Sequence, residues 1–407
     1  MANPFSGLKV KWSNSAPISV EDYRALARKR LPYMVWAYID GAADDLATLR
    51  GNRLAFGRWA FLPRFLTGKE GTGLATSIGG RRISLPVYLS PTGMCGLTHW
   101  SGEIAMAQAA ERAGSLCVVS GAASYLPEEI HEATRERHFF QLYPWSNALA
   151  GRHDLTDHYI QRVQDAGYQG LFVTVDVPTH GNREAERRRS LGTPPVFTPG
   201  QLLEAALHPR WLMGYLRHQR VAPRLMTHRG GLKGIAEAGE FQLRAMRPEL
   251  NWDDIKRMRD RWNGPFYIKG LLHPDDAEKA IEIGATGIVV SNHGGRQLDG
   301  SEAALDAMVK IADRVNGRAE ILLDGGIRRG ADVVKALCLG ATAVGIGRPT
   351  LYGLGAAGSA GVEHILEIFR QEIARTLTLL GVTDVSELNR SMLTRVEPYP
   401  FGDSNEV

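Results

Sequence analysis

An α/β fold closed into a single (β/α)8 TIM barrel is what this sequence predicts, and three observations predict it. Eight short apolar runs recur along the chain, helix-like stretches separate most of them, and every run ends in polar or glycine-rich chemistry. A length of 407 residues exceeds the usual single domain, but α/β barrels often run this long as one unit. The 44% hydrophobic content is enough for a large core.

The elements follow in order. An N-terminal helical segment occupies about residues 18–60. Ser19 and Asp22 have the spacing of a capping box before an apolar-periodic run, and "DGAADD" at 40–45 breaks it. The barrel runs are "PVYLS" 86–90, "LCVVS" 116–120, "FFQLY" 139–143, "LFVTV" 171–175, "PFYIK" 265–269, "TGIVV" 286–290, "EILLD" 320–324 and "TAVGIG" 342–347. They are apolar throughout instead of alternating, as strands buried on both faces are. Between them lie helical patterns such as "GEIAMAQAAERAG" and "ALDAMVKIADRV". An open doubly wound sheet alternates in the same way. The run ends favour the barrel, because "SPTG", "SGAAS", "QLY", "TVD", "IKG", "SNHGGR", "DGG" and "GIGR" then converge on one face.

The spacing fails once. Roughly 90 residues separate the fourth run from the fifth, more than a crossover needs, so residues 185–250 or so are an insertion. From Arg183 to Lys233 there are ten Lys/Arg against three Asp/Glu, in a chain whose net charge is +4. This segment reads as an active-site lid or oligomer contact. Its "HPRWLMGYLRHQR" also has the composition of an amphipathic helix lying on a membrane. The low net charge of the whole chain argues against a nucleic-acid partner. Three scattered cysteines, with no CxxC, argue against a zinc site or disulfide framework, and no metal is expected. No signal peptide or transmembrane run is expected.

Candidate chemistry sits at the run ends. "DGGIRRG" (324–330) and "GIGRP" (345–349) follow the last two strands, where barrels hold phosphate. Glycines admit backbone N–H groups to an anion, and arginines bind it in a fork. His293 stands on a glycine-softened turn, with Arg296 three residues on. Asp176 is a candidate orienting partner for it, and Arg183 a second cation. A base beside two arginines points to a carboxylate substrate that loses a proton. Arg187, Arg188 and Arg189 read as rim salt bridges. Lys269, ending the fifth run, is either a Schiff-base lysine or a fixed charge beside an electron-accepting ring.

Together "LPYMVWAYIDGAADD", "SPTG", "FQLY", "TVDVPTHGNRE", "YIKG", "SNHGGRQLDG", "DGGIRRG" and "GIGRPTLYG" resemble the FMN-dependent 2-hydroxy acid oxidoreductases over about residues 18–390. The likeness is nearest to the mandelate and L-lactate dehydrogenase branch. It implies FMN as cofactor and oxidation of an (S)-2-hydroxy acid to the 2-oxo acid. His293 would be the base and Asp176 its partner. Arg183 and Arg296 would clamp the carboxylate, with Tyr143 and Tyr38 on the substrate's oxygens. Lys269 would sit at flavin N1/O2, which decides against a Schiff base. Pro91, Thr92 and Gly93 would approach N5, while Ser120, Gln141 and Thr174 contact the isoalloxazine. Ser291 would lie near the ribityl chain, and Asp324, Gly325, Gly326, Arg328, Gly347 and Arg348 would hold ribityl and phosphate.

Departures from the family pattern bear on the substrate. Gly93 stands where oxidases often have alanine, which favours a dehydrogenase. Ala122 replaces the tryptophan of glycolate oxidase and leaves room for a bulky or aromatic side chain, as in mandelate. His180 is polar where glycolate oxidase is apolar. Ile39 replaces a tyrosine of some members. The electron acceptor stays open among a quinone, a protein and O2, and so does an oxidase of L-lactate or glycolate type. An FMN-dependent isomerase on the same barrel is the other alternative. A homotetramer is expected, cytoplasmic and at most peripheral to the inner membrane face through about residues 200–230, with no fused haem domain.

Overall fold

The computed structural model describes residues 16–145, 155–188, 198–227 and 231–397. Eight parallel strands carry the fold: β1 Val87–Leu89, β2 Val118–Ser120, β3 Phe139–Leu142, β4 Gly170–Thr174, β5 Phe266–Leu271, β6 Gly287–Val290, β7 Glu320–Asp324 and β8 Ala343–Ile346. From β2 onward each pairs with the next in chain order, and β8 pairs back onto β1. The cylinder closes between β1 and β2 through one bridge, Leu89 to Cys117, with Leu89 N donating to Leu116 O at 2.8 Å. All eight apolar runs are therefore barrel strands. They lack alternation because one face fills the interior and the other packs under helices.

The interior is a packed cluster that includes Tyr88, Val118, Phe139, Phe172, Tyr267, Val289 and Leu322. Ile78 and Ile83 join it from a two-stranded ribbon, Thr76–Ile78 with Arg81–Ile83. The ribbon's Gly79 N donates to the Glu320 carboxylate at the start of β7, so the ribbon plugs the N-terminal mouth. Among the described residues the active-site cavity lies at the opposite, C-terminal end.

Three helices precede the barrel, α1 Val20–Arg30, α2 Tyr33–Asp40 and α3 Ala47–Gly57. Ser19 Oγ accepts from Asp22 N at 3.1 Å, as the cap spacing predicts. The segment is not one helix up to "DGAADD", however. It also breaks at Leu31, which is extended (φ −104°, ψ 142°) because Pro32 follows and disfavours the helical backbone before it. The remaining helices are α4 Cys95–Thr98, α5 Gly102–Arg112, α6 Pro127–Glu132, α7 Leu155–Asp165, α8 Glu184–Arg188, α9 Pro199–Ala206, α10 Pro209–His218 and α11 Gly231–Ala245. They continue with α12 Trp252–Arg261, α13 Pro274–Glu282, α14 Ala304–Val315, α15 Gly330–Cys338 and α16 Arg348–Leu380.

The insertion is helical where it is described. Helix α11 turns inward, burying Ile235, Ala238 and Ala245. Helix α10 buries no residue and hangs by Trp211, whose Nε1 donates to Leu97 O at 2.7 Å. Arg188 pairs with Glu184 at the rim, as its reading as a salt bridge requires. Arg189 lies outside the described residues.

Candidate active site

The turn after β6 is built by its neighbours. His293 has φ +57° and is followed by Gly294 and Gly295 at +65° and +76°. Only glycine fits at 295, where a Cβ would stand 2.7 Å from Leu49 N of α3. Asn292 and Asn52 of α3 exchange two amide hydrogen bonds of 2.8 Å. Gly295 O accepts from Ala43 N at 2.8 Å. The N-terminal helices thus hold the histidine in a backbone conformation that a non-glycine residue adopts only when its surroundings impose it.

His293 Nδ1 meets Asp176 Oδ1, from the end of β4, at 3.0 Å. Burial pulls the imidazole below its ordinary range, against the pull of Asp176. Burial alone would raise the Asp176 carboxyl, but His293 and Lys269 together hold it low. The pair is therefore a neutral imidazole on a carboxylate near neutral pH.

Lys269 is 4% exposed. Its Nζ reaches Ser291 Oγ at 2.8 Å and Asp324 Oδ2 at 3.1 Å. Burial disfavours its charge, but Asp324 and Asp176 outweigh that and raise its pKa. A permanent cation results at the floor of the cavity.

The two arginines stand beside the base and share an unanticipated partner. Arg296 donates to Glu186 Oε1 at 2.7 Å and to the Tyr38 and Gly41 carbonyls. Arg183 donates to Gln297 Oε1 and Arg296 O, and lies 3.9 Å from Glu186. Glu186 is 6% exposed and sits on α8. In the sequence it is one charge in a charged run, so nothing there marks it as inward-facing. Tyr38 donates from its hydroxyl to Gly93 O at 3.0 Å, tying α2 to the loop after β1.

One cavity is lined by Tyr38, Tyr143, His293 and Arg296, and equally by Pro91, Thr92, Gly93 and Ala122. His180, Arg183, Lys269, Asp324, Gly325, Gly326, Arg328, Gly347 and Arg348 complete the predicted residues on its wall. Ser120, Gln141, Thr174 and Ser291 are buried and are not part of that wall. The sequence did not foretell Trp145, nor Ile235, Gln242 and Met246, which bring α11 and the segment after it over the mouth.

Several donors here have no partner among the described residues: Gln141 Nε2, Thr174 Oγ1, Arg328 Nε and Arg348 Nε. Buried donors left unpaired are costly and call for a ligand. Two are at the ends of β3 and β4. The arginines flank the last two loops, where Gly347 leads into the N-terminus of α16. Arg348 also donates to Gly294 O and Gly41 O, and burial pulls its guanidinium down to about 10. A polar ring beside Lys269 and a phosphate beside Arg328 and Arg348 match this donor set, so the residues fit FMN.

The sequence profile of the FMN-dependent dehydrogenases matches residues 27–395. L-lactate oxidase of a Nostoc species is 37% identical over 383 residues, 93% of this chain and 98% of that one. (S)-mandelate dehydrogenase of Pseudomonas putida is 36% identical over 377 residues, 92% and 93% of the two chains. The crystal structure of the monotopic membrane protein (S)-mandelate dehydrogenase superposes with a TM-score of 0.87 at 34% identity, covering 94% of this chain and all of that one. Similar in sequence and fold over nearly its whole length to such enzymes, the chain belongs to the family of FMN-dependent dehydrogenases and oxidises 2-hydroxy acids with FMN as its cofactor.

Proposed function

We propose that the substrate is an (S)-2-hydroxy acid with a bulky or aromatic side chain, of which mandelate is the type, and that the electrons leave to an acceptor other than O2. The observation that carries this reading is the bare wall beside the base. Ala122 supplies only a methyl, and a Cβ on Gly93 would lie 2.9 Å from that methyl. Trp145, Val177, Ile235 and Met246 add apolar surface to this cavity.

Bound FMN supplies the two-electron acceptor. Arg183 and Arg296 hold the substrate carboxylate, and Tyr38 and Tyr143 orient its oxygens. His293 takes a proton from the Cα–OH group, and Asp176 stabilises the imidazolium that forms. Lys269 would hold positive charge at the flavin's N1/O2 edge and favour negative charge on the ring. Pro91, Thr92 and Gly93 would approach the ring's N5 edge, while Ser120, Gln141 and Thr174 would bond its polar atoms. Ser291 would lie by the ribityl chain, and Asp324 to Gly326, Arg328, Gly347 and Arg348 would take ribityl and phosphate. Glu186 keeps both arginines aligned before substrate arrives.

Anaerobic stopped-flow mixing with (S)-mandelate, L-lactate and glycolate, followed by air, tests this reading. Mandelate is expected to bleach the flavin fastest, and air to restore its colour slowly. Bleaching by lactate or glycolate alone would overturn the substrate, and fast recolouring in air the acceptor.

We also propose that α9 and α10 rest on a membrane surface. Leu203, Leu207, Met213 and Leu216 are 61–74% exposed, at i,i+4 and i,i+3 spacings, with Arg210 and Arg217 beside them. No helix among the described residues is long and apolar enough to cross a membrane. Anionic vesicles should therefore sediment the protein, and M213D/L216D should cut the bound fraction at least about fivefold, since two contacts are each replaced by a charge. Equal sedimentation of the variant would remove α10 from the contact.

A further inference from the structure

We propose that His180 reads a hydrogen-bonding group at the far end of the substrate's side chain, so that the preferred substrate is an aryl 2-hydroxy acid bearing a phenolic hydroxyl. This rests on the aryl reading above and narrows it.

His180 stands on the loop between Asp176 and Arg183 and lines the cavity together with Arg183 and His293. Its Nε2 is buried and has no partner among the described residues. A histidine placed there for packing alone leaves that nitrogen unpaired at a cost, which an apolar residue would avoid. Burial, helped by the Arg183 charge, drives the ring down to about 4, so it is neutral at working pH. A neutral imidazole offers one donor and one acceptor, and a hydroxyl bonds to either.

The backbone that carries the ring is also held in place. Gln297 donates to Thr179 O at 2.8 Å and to Asp176 O at 3.0 Å, and accepts from Gly181 N at 3.3 Å. One side chain thus grips the backbone on both flanks of His180. A Cβ on Gly181 would lie 2.3 Å from Arg296 O, so the loop is pressed against the clamp segment. The carboxylate end and the side-chain end of the substrate are therefore read by parts of one braced unit, as discrimination requires. Ala122, Trp145, Val177, Ile235 and Met246 add apolar surface to the same lining, and the amide nitrogen of its Gln242 lies 3.2 Å from Met226 Sδ.

The test is spectral titration of the FMN-loaded enzyme with two 2-oxo acids, phenylglyoxylate and its 4-hydroxy derivative, reading Kd from the flavin absorbance. The hydroxylated ligand is expected to bind about tenfold tighter, one hydrogen bond's worth. In H180L the ratio of the two Kd values should fall to about one, and in H180Q, which keeps a polar terminus, most of it should remain. Retained flavin absorbance reports that each variant is folded. Preference for the 3-hydroxy isomer, lost in H180L, supports the proposal equally. Equal binding in the unaltered enzyme, or a preference that survives in H180L, overturns it. If (S)-mandelate still bleaches the flavin in either case, the aryl reading stands and only the role of His180 falls. If neither aryl ligand binds and lactate alone bleaches, both fall.

Discussion

Replacing His293 with asparagine is expected to slow flavin reduction by the 2-hydroxy acid about 10²–10⁴-fold, the span usual for a lost general base. Asparagine is the informative choice. The residue sits at φ +57°, and asparagine tolerates that backbone better than alanine or leucine does. The Asn52–Asn292 pair and the contact at Leu49 should keep the turn intact, so the loss reads as chemistry and not as misfolding. Flavin content provides the control. The same ring dictates the pH profile. It acts as a base only when neutral, and burial holds its pKa below the ordinary 6.5. In the unaltered enzyme the acid limb of kcat/KM should therefore have its midpoint below pH 6.5. A variant that reduces flavin at the original rate would move the base elsewhere.

Replacing Lys269 with methionine should cost about 3–5 kcal/mol of stability, the usual result of removing one partner from a buried ion pair. Methionine keeps the unbranched stem, so packing changes little. The charge is what goes, and Asp324 and Asp176 lose the cation that offsets their burial. Urea unfolding of the FMN-free protein reads the loss directly. Weaker flavin retention in the same variant reads the second role, at the ring. A loss under about 1 kcal/mol would mean that the pair behaves as an exposed one.

The sequence by itself determined the barrel and the identity of its chemistry. A strand buried on both faces must be apolar throughout, and a strand end on the working face must not be, so both facts are local and legible. Eight such runs, together with His293, Lys269 and the two glycine–arginine loops, needed no tertiary information. The split at Leu31 was equally local, because a proline restricts the residue before it.

Only the tertiary structure decided what depends on elements far apart in the chain. Glu186 is a surface-type charge until α8 folds back and places it on Arg296 and Arg183. The insertion carries one basic, amphipathic composition. Packing divides it into α11, which joins the cavity wall, and α10, which buries no residue fully. His180 is a lone polar residue until the loop closes on Gln297 and leaves its Nε2 buried and unpaired. Which face of a helix is buried, and which charge finds a partner, depends on what packs against it, and Glu186 and its partner Arg296 are 110 residues apart along the chain.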